Sequence, residues 1–149
     1  MRWQAKYNWY LLDMSLFTAF NILMIYLLHR SNTLFWPIDL LSLFVLGLAA
    51  WRGANMIANE EITKSVRAPF VDVVEKNGKS VEQPKPYGWR GAMGSLIYCS
   101  SCTGVWVAAI LVYSHAFFPV TVSIIALILT LSAGERFFTV IFDVLKKRT

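Results

Sequence analysis

Leu34-Phe-Trp-Pro-Ile-Asp-Leu-Leu-Ser-Leu-Phe-Val-Leu-Gly-Leu-Ala-Ala-Trp51 runs directly into Arg52-Gly-Ala-Asn-Met-Ile-Ala-Asn-Glu-Glu-Ile-Thr-Lys-Ser-Val-Arg67. The first part approaches the ~20 apolar residues that a bilayer-spanning helix needs; the second is polar and basic. No stop signal separates them. The pattern therefore predicts one helix that crosses a bilayer and projects into water until Pro69 disfavours it. Glu60, Lys64 and Arg67 would share a face of that projection, with Glu60 and Lys64 in the favourable i,i+4 order worth about 0.2 to 0.5 kcal/mol. Asp39, following Pro37, falls in the first turn, where an acid complements the helix dipole.

Three further segments have the same character, at about 9–28, 95–114 and 117–134. With 56% hydrophobic and 15% charged residues, the composition suits lipid better than water. The expected architecture is an all-α membrane protein, a single polytopic domain over 1–149. Four transmembrane helices, the second at about 34–51, surround an elbow at about 52–94, made of a helical extension and a loop. Of the 14 Lys and Arg residues, only Arg30 lies between the first two segments and none between the last two. Both termini and the elbow are therefore expected on the cytoplasmic side. Trp3, Tyr7, Trp9 and Tyr10 at one end, and Phe35, Trp36, Tyr113, Phe117 and Phe118 at the other, fit interfacial anchors. The basic start resembles a signal peptide, but no small-x-small site follows His29, so an uncleaved anchor is expected. The surplus of positive charge suits anionic headgroups, and no aromatic-basic interleaving points to nucleic acid.

Residues 70–89 carry Pro69, Pro84 and Pro86 at or near their ends, together with Gly78 and Gly88, and read as loop, although Val71, Val73 and Val74 would suit a short strand. After them comes Cys99-Ser-Ser-Cys102-Thr-Gly104-Val-Trp106, which holds both cysteines. Placed in the first turns of the third segment, the two thiols would share one helix face. A helix N-terminus, with Arg90 nearby, favours thiolate, which suits redox chemistry or metal binding. Two thiolates are half of a tetrahedral zinc site, and His29 and His115 belong to the opposite membrane face. Zinc would thus require cysteines paired between subunits, or carboxylates such as Glu60 and Glu61. Alternatively, Gly91, Ser95, Cys99 and Cys102 form a small-residue stripe for close helix packing, with the thiols kept reduced in the cytosol and no stable disulfide expected. Asp13, about a turn inside the first segment, is either a functional acid or the partner of a basic side chain from a neighbouring helix end.

The two stretches 52–67 and 94–106 together resemble the bacterial and phage membrane-protein family known as domain of unknown function 1360, over roughly residues 45–110. The resemblance implies a shared set of Arg52, Glu60, Arg67, Cys99, Cys102, Gly104 and Trp106. Asn55, Glu60, Ser65, Ser95 and Ser100 stand where that family commonly has Arg, Asp, Pro, Glu and Pro. It also implies a bacterial cytoplasmic (inner) membrane setting. In this picture Arg52, Glu60, Arg67 and the cysteine turn converge at the membrane edge, with Trp106 filling the apolar side of the junction and Gly104 admitting a close neighbour.

No G-x-x-x-x-G-K-[ST], G-x-S-x-G or H-E-x-x-H motif is present, which removes the commonest nucleotide-binding and hydrolytic readings. Three readings remain. The first is a non-catalytic membrane module that binds another membrane or cytosolic protein, or a second copy of itself, through the elbow. The second is a thiol-redox or metal protein using Cys99 and Cys102. The third is a small transport or holin-like pore protein, for which the paired charges and broken-helix repeats are missing.

Overall fold

The computed structural model describes residues 2–31, 39–76, 79–86 and 88–146; the side chains of residues 2–7, 76 and 79 are outside that description. The order is α1 (Arg2–Arg30), α2 (Leu40–Asn59), α3 (Lys64–Arg67), β1 (Val71–Lys76), β2 (Lys79–Pro84), α4 (Gly88–Tyr98), α5 (Ser100–Phe117) and α6 (Pro119–Lys146). Four of the helices, α1, α2, α5 and α6, are long and apolar enough to cross a membrane. Trp3 and Tyr7, as side chains, and Phe35, Trp36 and Pro37 lie outside the described residues.

The core sits where α2, α5 and α6 meet, with Leu46, Ala49 and Ala50 of α2 against Leu111 of α5 and Val122 and Ala126 of α6. Alanines at 49, 50 and 126 of this seam let the helices approach closely, the kind of packing on which apolar helices suited to a bilayer rely. Gly53 illustrates it: a Cβ there would stand 3.2 Å from Val107 Cγ1. Thr130 adds an interhelical hydrogen bond, donating Oγ1–H to the Val45 carbonyl at 3.0 Å. Phe118 alone separates α5 from α6, and Pro119 opens α6 with its φ already helical.

α1 is attached more lightly. Only Leu28 of its described side chains is buried. Its links to α5 are Phe17 and Phe20 against the Trp106 ring, with centroids 4.9 and 5.9 Å away, and Tyr113 O–H donating to Asn21 Oδ1 at 2.7 Å.

Four expectations need correction. The helix through 52–67 does not run unbroken: α2 ends at Asn59, Glu60 is extended (φ −96°, ψ 150°), and a 3-10 turn at Glu61–Thr63 leads into α3. Side chains that recapture the freed carbonyls make that break tolerable, as described below. The third segment is also divided, because Cys99 (φ −90°, ψ 100°) separates α4 from α5, so Gly91, Ser95, Cys99 and Cys102 are not one helical stripe. The last helix continues past 134 to Lys146.

The fourth correction is the loop at 70–89, which contains an antiparallel hairpin pairing Val71 with Pro84 and Val74 with Val81. The fold is thus mostly helical, as expected, with one small two-stranded sheet added between α3 and α4. Two glycines of α4 explain how the hairpin docks. A Cβ on Gly91 would overlap the Lys85 carbonyl oxygen, and one on Gly94 would overlap that of Phe70. Lys85 N–H donates to Phe70 C=O at 3.1 Å, tying the base of the hairpin, and the Phe70 and Trp89 rings meet edge to face at 6.0 Å.

Candidate functional site

Charged side chains concentrate where α2 ends. Arg52, one of the few buried charged residues at 8% exposure, donates from both terminal nitrogens to the two carboxylate oxygens of Glu60 and from Nε to Ser132 Oγ of α6 at 2.9 Å. This fork-to-fork pairing is the geometry guanidinium and carboxylate favour. Arg136 stands 4.0 Å from Glu60 on its open side. The hydrogen bonds from Arg52 hold the Glu60 carboxyl below its ordinary 4.5, outweighing the opposing effect of burial.

Arg67 supplies the second brace. It is 4% exposed, and one terminal nitrogen donates to the carbonyls of Ile57 and Glu60, each at 2.9 Å, and to Thr63 Oγ1 at 3.1 Å. Its other terminal nitrogen reaches Glu82 of β2 at 3.4 Å. Thr63 itself donates Oγ1–H towards the Met56 carbonyl at 2.6 Å. The carbonyls that a helix end leaves unpaired are therefore met by side chains from the next turn and a half. Glu60 and Lys64 do not pair as the helical register suggested: Lys64 lies 3.2 Å from Glu61 and 3.9 Å from Glu82. Asn55 donates to the Trp51 carbonyl at 2.9 Å and accepts from Asn59, so it braces its own helix.

The second helix break repeats the device. Thr103, 7% exposed, donates to the Leu96 carbonyl at 3.0 Å across the turn at Cys99. Cys99 is the N-cap of α5, its Sγ accepting the Cys102 N–H at 3.3 Å. Cys99 and Cys102 are joined by a disulfide, contrary to the expectation of free thiols; the extended conformation of Cys99 folds its sulfur back over the first turn. Cys99 is half-buried and Cys102 exposed. Arg90 lies over the Trp89 ring at 5.5 Å.

Arg52, Glu60 and Arg67 do come together. Among the described residues, no hydrogen bond or ion pair links them to the cysteines; Tyr98, next to Cys99, shares a polar cleft with Asn59, Lys64, Arg67, Ser80 and Glu82. Gly104 lets α5 approach α2, its missing Cβ 3.7 Å from that of Ala54. Trp106 packs on α1 and not on the elbow. Asp13 lines a mostly apolar groove of about 220 Å³ between α1 and α4, with Trp9, Leu16, Trp89, Met93 and Leu96, and no basic side chain among the described residues pairs with it. No group of three or more His, Cys, Asp or Glu among those residues is placed to hold a metal ion. Ser132, Thr63, Thr103 and Glu82 escaped the sequence reading. A threonine seven residues after the carbonyl it recaptures was the only local signal, whereas Ser132 is 80 residues from Arg52.

The family model described as "Protein of unknown function (DUF1360)" matches residues 45–142. The UPF0713 protein YngL of Bacillus subtilis (strain 168) is 29% identical over 85 residues, which is 55% of this chain. The match spans 63% of the length of that curated relative. No solved structure matches.

Proposed function

The chain belongs to the DUF1360 family of proteins of unknown function, and from that membership, which brings no activity with it, we propose a non-catalytic integral membrane module that docks a protein partner through its elbow. The observation that carries this reading is an elbow braced where α2 ends that nevertheless holds apolar side chains outwards. Ile62 is 75% exposed and Val66 61%, beside Val73 at 65%. These residues lie between the candidate spans, where lipid tails would not cover them, and a preorganised surface loses little entropy on binding. The distribution of Lys and Arg supports placing the elbow and both termini in the cytoplasm, in a bacterial inner membrane, with the whole chain as one polytopic domain. Anionic headgroups would then border the elbow.

The test is site-specific photocrosslinking in native membranes, with the probe at Ile62, Val66 or, as a control on the strand face opposite Val73, Asp72. A discrete protein adduct at 62 and 66 that is absent at 72 supports docking, and its mass tells a second copy from another protein. Lipid adducts alone, or equal labelling at all three positions, would sink it.

A further inference from the structure

The disulfide occupies a position with chemical consequences of its own. Cys99 and Cys102 are the chain's two cysteines, and the bond between them straddles the first turn of α5, an 18-residue helix. Their surroundings differ. Cys102 is exposed, so an incoming nucleophile can line up behind its sulfur; Cys99 is half-buried and already accepts the Cys102 N–H at 3.3 Å. The N–H groups of a helix's first turn and its aligned peptide dipoles favour negative charge at that cap. The thiol best stabilised as thiolate is the one that departs fastest in exchange.

We propose that this disulfide is a thiol–disulfide exchange site for external thiols, in which Cys102 is the sulfur attacked and Cys99 the departing thiolate. An external thiol loses its proton to solvent, and its sulfur forms a bond to Cys102 Sγ. The Cys99–Cys102 bond breaks and its electron pair leaves on Cys99 Sγ, held by the Cys102 N–H. A second external thiolate attacks the sulfur of the first. Cys102 departs and takes a proton from water, and the products are one external disulfide and the reduced cysteine pair. Two thiols are oxidised and one disulfide reduced. Run backwards, the same steps use an external disulfide as the oxidant. This property goes beyond docking and is stoichiometric in the protein's own disulfide, so the crosslinking result does not bear on it. The turn suits a small or protruding thiol, because the exposed sulfur sits beside Ser100 and Ser101 with no acidic side chain in the motif to repel a thiolate.

The test uses the full chain in detergent, oxidised with oxidised glutathione, freed of reagent, then given limiting reduced glutathione and quenched with N-ethylmaleimide. Peptide mass spectrometry locates the two labels. Glutathione on Cys102 with maleimide on Cys99, at least tenfold over the reverse, is expected. Adducts equally divided or favouring Cys99, or failure of the disulfide to form, overturns the proposal. A second measurement follows iodoacetamide labelling against pH in Cys102→Ser and Cys99→Ser. The Cys99 thiol should reach half-maximal rate at least one pH unit below the Cys102 thiol, and coincident profiles would remove the basis for assigning the leaving group. Reduced protein carrying about one zinc per two chains and refusing glutathione would also overturn exchange, in favour of an intersubunit metal site.

Discussion

Replacing Glu60 by Gln removes the carboxylate from an arginine whose side chain is 10% exposed. Two charge-assisted hydrogen bonds are involved, each of a kind that contributes about 1.5 to 3 kcal/mol. Breaking a fully buried pair from one side costs about 3 to 5 kcal/mol, chiefly because the orphaned charge stays inside. Glu60 keeps 20% of its side chain exposed, and glutamine still offers one acceptor, so the expected loss is smaller, about 2 to 4 kcal/mol. Denaturation in mixed micelles, followed by tryptophan fluorescence, measures it. The double variant Arg52→Met/Glu60→Leu should cost less than the sum of its single changes, because no unpaired charge remains. A Glu60→Gln variant within about 0.5 kcal/mol of the parent, or strict additivity in the double variant, would refute the view of this pair as the brace of the elbow.

Acidification should act on the same bond. Because Glu60 titrates below its ordinary 4.5 in the folded protein, its contribution is complete above that value and is lost as pH falls through the lower, folded one. The stability gap between the parent and Glu60→Gln should therefore close below pH 4.5 and stay level above it. Gly94→Ala should detach the hairpin, since the added Cβ meets the Phe70 carbonyl oxygen, whereas Gly47→Ala, with nothing within 4 Å, should be neutral or stabilising by up to about 1 kcal/mol. Limited proteolysis between residues 70 and 86 tells the two apart. Thr103→Val should lower stability by about 1 kcal/mol through the Leu96 carbonyl it abandons, and equal stability would mean water replaces the hydroxyl. Tyr113→Phe should cost only about 0.6 kcal/mol, the usual worth of an interhelical hydrogen bond in lipid, while Trp106→Ala, which removes both ring contacts to α1, should make the Phe17 region newly accessible to a membrane-soluble probe.

The long helices were legible because apolar runs of sufficient length have few alternatives. What the pattern missed is where those helices stop. Glu60 and Cys99 are not helix breakers by type; each break is held by a threonine beyond it and, at Glu60, by Arg67, so the signal lies in side-chain geometry. The hairpin was concealed by prolines, although Asn77-Gly78 between valine-rich runs is a turn signal of the two-residue kind. Arg52, Glu60 and Arg67 were identified as a set, but their partners Ser132 and Glu82 come from elements far along the chain, and one sequence gives no measure of that distance in space.

The brace at the end of α2 has a bearing on biogenesis. Arg52 and Glu60 leave the ribosome eight residues apart, long before Ser132 exists. The two charges can cancel within the nascent segment, so, in the proposed membrane setting, α2 and its C-cap would meet lipid nearly neutral without waiting for another helix. The serine of α6 would then meet a guanidinium whose orientation its own segment already sets, leaving late assembly to seat one helix against a finished notch.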